Sequence, residues 1–145
     1  GGTALAEGRG EILTPLRDMP DCTIVICKPD YSISTPELFR AIDREKLRVH
    51  PDTAGILEAI REGNLAQICR RMYNVFEDVP DRRMKIIGGI KNRLINKGAE
   101  GAVMTGTGSA VFGIFTDENT AKKACSAMAK EVPFPCLAKP IGALL

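Results

Sequence analysis

The sequence predicts an α+β domain, because short apolar, β-branched runs alternate with longer segments of helical periodicity. The runs at 23–27, 102–104, 110–115 and 134–138 have the length and composition of strands. The segments between them carry apolar residues at helical spacing and open on capping residues or end at glycine. The order strand, helices, strand, strand, helix, strand predicts a ferredoxin-like split β-α-β sandwich with an antiparallel sheet and extra helices.

Composition indicates one ordinary globular domain of 145 residues, 44% hydrophobic and 26% charged. The net charge is +2 and the 20 basic residues are scattered, so neither nucleic acid nor an anionic membrane is expected as a partner. No apolar run approaches the ~18 residues that a membrane span requires. We expect a cytoplasmic protein, or a plastid one if a longer parent carried a transit peptide.

The cysteines predict neither a disulfide framework nor a metal site. There are five, at widely spaced positions and without a Cys-x-x-Cys pair, and His50 is the single histidine. We expect reduced thiols, no metal ligands, and a surface position for His50.

Residues 1–16 alternate small and apolar residues about Gly8 and Gly10, and Glu11 to Thr14 is predicted to be a short strand closed by Pro15. The unpaired edge of such a strand is a site for self-association. The next strand, Thr23 to Cys27, is short and does not alternate with polar residues. It is therefore predicted to be buried on both faces or central in the main sheet.

A helix is predicted from about Pro36 to Arg44, with Ser34 or Thr35 as its N-cap. Its apolar stripe consists of Leu38, Ala41 and Ile42. Phe39 lies off this stripe, and on periodicity alone it is a second core contact.

Three further helices follow before the next strand. The segment Pro51-Asp52-Thr53 is predicted to cap one that ends at Gly63, and Asn64 to cap the next. The segment 73–77 is predicted to pack between helices with Phe76 inward. A longer helix then runs from Pro80 to Gly98, with an apolar stripe of Met84, Ile87, Ile90 or Lys91, Leu94 and Ile95.

Two elements complete the C-terminal part, a helix over 117–130 and a strand over 134–138 that Pro135 places at a sheet edge. Gly88-Gly89 within the preceding helix costs roughly 1 kcal/mol per glycine relative to alanine. We expect another backbone to lie against these two glycines, such as that of the glycine-rich hairpin at 104–115.

That hairpin is Met104-Thr-Gly-Thr-Gly-Ser-Ala-Val-Phe-Gly-Ile-Phe115, two apolar runs joined by small residues. Gly106 and Gly108 permit φ > 0 and leave the backbone bare. Two interpretations fit, a plain tight turn or a concave nest of N–H groups for an anion or another phosphate loop. Ser109-Ala110 after the second glycine excludes a Walker A motif, and the strand that follows excludes a Rossmann fingerprint.

The hairpin also resembles the third motif of the GHMP kinases. Two other segments are similar to that superfamily, in the same order along the chain: Gly1 to Leu16, with Gly8-Arg-Gly-Glu-Ile-Leu-Thr-Pro15, and Ser34-Thr-Pro-Glu-Leu-Phe39. The Thr-Gly-Thr-Gly form is most similar to the branch that phosphorylates 4-diphosphocytidyl-2-C-methyl-D-erythritol.

The resemblance implies a parent enzyme that transfers the γ-phosphoryl group of ATP, with magnesium, to the 2-hydroxyl of that substrate in non-mevalonate isoprenoid biosynthesis. Residues 1–20 would be remnant strands of the N-terminal kinase domain, and 21–145 the C-terminal domain. The family's phosphate loop, N-terminal lysine and catalytic aspartate match nothing in this sequence. We therefore expect no catalytic residue, no cofactor and no kinase activity in this chain alone, and a missing N-terminal domain as its partner.

The resemblance also implies the site residues. Thr35 and Phe39 would contact the cytosine of the substrate, with the Phe39 ring stacked on the base. The cofactor side would be formed by Gly106, Thr107, Gly108 and Ser109.

Two other interpretations stay open at this point. One is a stand-alone ferredoxin-like module that binds a small regulatory ligand with its own affinity. The other is the C-terminal domain of a homoserine or mevalonate kinase, against which Phe39 and the segment 8–15 argue.

Overall fold

The computed structural model describes residues 1–47 and 49–143. It contains a two-stranded and a four-stranded sheet, both antiparallel. The strands are β1 (Ala4–Glu7), β2 (Ile12–Pro15), β3 (Thr23–Cys27), β4 (Gly101–Met104), β5 (Val111–Phe115) and β6 (Cys136–Ala138). The helices are α1 (Thr35–Ile42), α2 (Thr53–Glu62), α3 (Leu65–Arg71), α4 (Arg82–Asn96) and α5 (Glu118–Met128), with a 3₁₀ turn at Val75–Asp78.

The four-stranded sheet has the order β4-β5-β3-β6. β3, the strand that precedes the helices, therefore lies inside the sheet between β5 and β6, as a split β-α-β arrangement requires. The predicted ferredoxin-like α+β fold is confirmed. So is the central position of β3, and β6 lies at the sheet edge, as Pro135 indicated.

β3 does not have two equally buried faces. Val25 and Cys27 are fully buried among α4 and α5, whereas Ile24 on the opposite face is only half-buried, beside α3. The core is thus thicker on the α4/α5 side of the sheet.

Helix starts and stops follow the local signals. Asp52 accepts a hydrogen bond from the Gly55 N–H at 3.0 Å, and Asn64 accepts one from Gln67 at 3.1 Å. Gly63 ends α2 in the left-handed conformation, with φ of 67°. These three predicted boundaries are confirmed.

Helix α4 approaches the sheet over a glycine. A Cβ added to Gly113 of β5 would lie 3.3 Å from the Cβ of Leu94, so the absence of a side chain there lets Leu94 sit against the strand. Leu94 is fully buried together with Ile87 and Ile90.

Two expectations for α4 were wrong. Ile95 is 44% exposed, because it lies about 100° further round the helix than Leu94 and turns away from the sheet. Gly88 faces open space, since a Cβ there would meet no described atom within 4 Å. The glycine-rich hairpin is therefore not its neighbour.

The strands β1 and β2 form a hairpin of their own, paired from Ala4 with Pro15 to Glu7 with Ile12. Among the described residues, no strand of the main sheet pairs with it. Ile12 and Leu13 are 53% and 63% exposed on this hairpin.

Candidate functional site

The loop Thr105–Ala110 between β4 and β5 is closed by its own backbone. The Thr105 N–H donates to the Ala110 carbonyl, and the Gly108 N–H donates to the Thr105 carbonyl, both at 2.9 Å. Gly106 and Gly108 have φ of 54° and 85°, so the predicted need for positive φ is confirmed.

The two glycines have different surroundings. A Cβ at Gly108 would lie 2.7 Å from the Met104 sulfur and 3.1 Å from Cδ1 of Ile33, whereas one at Gly106 would meet nothing within 4 Å. Gly108 thus allows the loop to lie on the core. Gly106 presents bare backbone to the outside.

The outer part of the loop carries free donors. Among the described residues, no hydrogen bond uses the backbone N–H of Gly106 or of Thr107. Ser109 is 1% exposed, and its hydroxyl donates to the Tyr31 carbonyl, so its side chain anchors the loop. A role for these residues in cofactor binding stays a prediction.

Helix α1 meets this loop through two hydroxyl groups. Oγ1 of Thr35 lies 2.9 Å from Oγ1 of Thr107, although 72 residues separate them in sequence. Ser34 is the N-cap by backbone conformation but makes no capping bond with its side chain. The contact between Thr35 and Thr107 brings the two predicted half-sites together.

Phe39 lies one helical turn after Thr35, on the same face of α1. Phe39 is 51% exposed, and its ring makes a T-shaped contact with the Phe76 ring, with centroids 5.0 Å apart. The half-buried Phe76 supports it from the core side. One part of the Phe39 ring therefore makes the expected packing contact, and the rest is open for stacking.

Asn74 and Glu77 are the site residues that sequence reasoning missed. The Asn74 amide donates to the carbonyls of Met104 and Gly106, at 2.8 and 2.7 Å. The Glu77 carboxylate accepts from the Met104 N–H at 3.1 Å and pairs with Lys91 at 2.8 Å. The segment 73–77 therefore holds the glycine loop, in addition to the packing that was predicted for it.

An open cleft of about 690 Å³ adjoins the loop. Thr105, Gly106 and the exposed His50 are among the residues that line it. Tyr73, also in the lining, donates its hydroxyl to the Asp78 carboxylate, and the Val49 carbonyl oxygen lies 3.3 Å from the same hydroxyl. The bond to Asp78 raises the pKa of Tyr73 to about 12, so this phenol stays a neutral donor at physiological pH.

The cysteines are free thiols. Burial raises the pKa of Cys27 and of Cys69 to about 11, which keeps both protonated and unreactive. Among residues 1–47 and 49–143, no three His, Cys, Asp or Glu side chains are grouped so as to hold a metal ion. In the same ranges, no helix has the length and apolarity needed to cross a bilayer.

Comparison with known proteins places the chain in a family. The profile described as "GHMP kinases C terminal" matches residues 56–133. The chain is 46% identical over 119 residues to a 4-diphosphocytidyl-2-C-methyl-D-erythritol kinase from Lachnospira eligens, covering 82% of this chain and 41% of that relative. It is 40% identical over 117 residues to the enzyme of the same name from Clostridium botulinum, covering 81% and 42%.

A solved structure agrees with these relatives. A crystal structure of 4-(cytidine 5'-diphospho)-2C-methyl-D-erythritol kinase superimposes with a TM-score of 0.78 at 27% identity, over 97% of this chain and 50% of that one. The chain spans about two fifths of the length of the curated relatives it matches. It belongs to the GHMP kinases and contains the domain that is C-terminal in that family.

Proposed function

We propose that this chain is the C-terminal domain of an ATP-dependent kinase that phosphorylates the 2-hydroxyl of 4-diphosphocytidyl-2-C-methyl-D-erythritol, in non-mevalonate isoprenoid biosynthesis. The observation that carries the proposal is the 2.9 Å contact between the hydroxyls of Thr35 and Thr107. It joins the helix that carries the exposed Phe39 ring to a loop in which the N–H groups of Gly106 and Thr107 bond to no described residue. A nucleoside diphosphate has a base and phosphates that fit these two features.

Each part of the surface has its own task in this proposal. Phe39 stacks on the cytosine, and Thr35 contacts the same base. Stacking of a base on an aromatic ring is worth about 1–3 kcal/mol in nucleic-acid complexes. On the phosphate side of the substrate, the N–H groups of Gly106 and Thr107 face the phosphates or support the phosphate loop of the kinase. Gly108 and Ser109 hold the glycine-rich loop against the core.

Phosphoryl transfer to the substrate hydroxyl needs catalytic groups in addition to the binding residues named above. Phosphoryl transfer depends on positioning and on neutralisation of charge, to which a bound magnesium ion contributes. The proposal assigns neither a magnesium ligand nor a general base to residues of this chain. The chain contributes by binding the nucleoside end of the substrate and by orienting the phosphate side.

The hairpin β1–β2 fits a role in a neighbouring unit. Within the part of the chain that the structure describes, it forms no ladder with the main sheet, and its Ile12 and Leu13 are exposed. We propose that residues 1–20 complete a sheet of an N-terminal kinase domain, the partner of residues 21–145. Without that domain the free edges would pair between copies of the chain, which makes self-association part of the same proposal. A metabolic kinase of this kind would act in the cytoplasm.

The proposal is tested with a hybrid kinase, defined as the upstream part of the Lachnospira eligens enzyme joined to this chain in place of its own similar region. We expect the hybrid kinase to phosphorylate 4-diphosphocytidyl-2-C-methyl-D-erythritol and to leave homoserine and mevalonate unchanged. Turnover of homoserine or mevalonate in preference to the cytidine substrate would contradict the proposed substrate class.

The 145-residue chain on its own is expected to show no kinase activity, because the family's phosphate loop and catalytic aspartate match none of its residues. A coupled assay for ADP release with ATP, magnesium and the cytidine substrate measures this. Turnover above that of buffer would contradict the proposal that the general base and the phosphate loop are supplied from outside this chain. Tight binding of CDP by the chain alone, without turnover, would instead favour a stand-alone binding module.

A further inference from the structure

The side-chain amide of Asn74 donates hydrogen bonds to two carbonyl groups of the glycine-rich hairpin. Its Nδ2 lies 2.8 Å from the Met104 carbonyl oxygen and 2.7 Å from that of Gly106. Its Oδ1 accepts the Phe76 N–H at 3.1 Å, which determines which end of the amide faces the loop. Both donors and one acceptor of the amide are therefore in use.

The bond to Gly106 determines the direction of a donor in the next residue. The peptide between Gly106 and Thr107 is trans, so its C=O and its N–H point in opposite directions. With the carbonyl turned toward Asn74, the Thr107 N–H must point away from it. That N–H has no partner among the described residues, and the Thr107 side chain is meanwhile held by Thr35.

Glu77 holds the base of the loop in place. Its carboxylate accepts the Met104 N–H at 3.1 Å, so both backbone groups of Met104 are bound by the 73–77 segment. The Glu77 side chain is 14% exposed, and its carboxylate pairs with Lys91 of α4 at 2.8 Å. Lys91 ties Glu77 to a core helix, and the Glu77 N–H donates to the Asn74 carbonyl at 3.0 Å, so Glu77 links Asn74 to both the helix and the loop.

We propose that Asn74 is the positioning residue that aims the Thr107 N–H at a phosphate oxygen, with Glu77 and Lys91 as its support. The direction of the N–H follows from the geometry of this chain, whereas the phosphate as its target rests on the proposed function. An amide is required because only an amide supplies two donors to carbonyls together with an acceptor for the Phe76 N–H.

The substitution Asn74→Asp separates the two functions of the amide, which are donation to the two loop carbonyls and acceptance of the Phe76 N–H. A carboxylate keeps the acceptor for the Phe76 N–H but places an anionic oxygen against two carbonyl oxygens. We expect the Gly106–Thr107 peptide to rotate away. The matched control is Asn64→Asp, because the Asn64 oxygen caps α3 in the same way and, among the described residues, its amide nitrogen makes no hydrogen bond. Aspartate is as good a cap as asparagine.

Nuclear magnetic resonance on the unliganded 145-residue chain tests the proposal. In the unsubstituted chain we expect scalar couplings across the hydrogen bonds from the Asn74 side-chain nitrogen to the carbonyl carbons of Met104 and Gly106. In Asn74→Asp we expect displaced resonances for the Gly106 carbonyl and the Thr107 amide, with the β3 amides unchanged. Asn64→Asp should leave all of these resonances in place.

Each result of the magnetic resonance experiment either supports or overturns the proposed role of Asn74. Absence of both couplings in the unsubstituted chain overturns the proposal without any variant, even if Asn74→Asp fails to fold. Unmoved Gly106 and Thr107 resonances in a folded Asn74→Asp chain overturn it as well. Because no nucleotide is present, a failure of the hybrid kinase to accept the cytidine substrate would refute the proposed function and leave these couplings unaffected.

Discussion

Replacing Phe39 with alanine is expected to lower kcat/KM of the hybrid kinase for 4-diphosphocytidyl-2-C-methyl-D-erythritol by about 5- to 150-fold. The range corresponds to the loss of about 1–3 kcal/mol of stacking on the base. The ring is half exposed and makes a T-shaped contact with Phe76, so its exposed part can take a base without rearranging the core. The measurement is steady-state kinetics of ADP release at varied substrate concentration.

The control for this experiment is another exposed phenylalanine. Phe134 is 96% exposed, and we place it in neither half-site, so Phe134→Ala should leave kcat/KM within twofold of the unsubstituted hybrid, a change of about 0.4 kcal/mol. A similar loss in both variants, or a Phe39→Ala variant with unchanged kcat/KM, would contradict the stacking role.

Replacing Leu94 with alanine is expected to destabilise the fold by about 2–5 kcal/mol, the range for removing a fully buried leucine. Leu94 is 0% exposed and lies against Gly113 of β5, where no side chain is available to fill the space that the substitution leaves. Such a loss is a large part of the total stability of a small domain. Urea denaturation of the 145-residue chain, followed by circular dichroism, measures it.

The neighbouring residue is the matched control for this substitution. Ile95 has a similar volume, lies in the same helix and is 44% exposed, so Ile95→Ala should change the free energy of unfolding by about 0.5 kcal/mol or less. Equal losses in the two variants would mean that α4 presents a different face to the sheet from the one described.

Features of the fold that depend on neighbouring residues could be predicted from the sequence. Asp52, Gly63 and Asn64 act through hydrogen bonds or backbone conformations within four residues of themselves. The strand order followed from the sequence of elements, since few arrangements bury such a set. Ile95 was misplaced because the apolar stripe is judged by residue type, whereas burial depends on where the sheet lies beneath the helix.

The candidate site was less predictable because its contacts are long-range. The bonds from Asn74 to Met104 and Gly106 span 30 and 32 residues, and no local pattern around position 74 indicates them. Thr35 and Thr107 were singled out separately, through a resemblance, and only the fold brings their hydroxyls together. Gly88 gave a misleading signal, since a helical glycine suggested a close neighbour where the structure has open space.

The central claim is that helix α1 and the glycine loop form one binding surface, and a double-mutant cycle tests it most directly. Thr35→Val and Thr107→Val, singly and together in the hybrid kinase, each remove one of the two bonded hydroxyls. For kcat/KM with the cytidine substrate we predict a coupling of about 0.5–1.5 kcal/mol, the net worth of one hydrogen bond. Effects that add to within about 0.3 kcal/mol would contradict a shared surface.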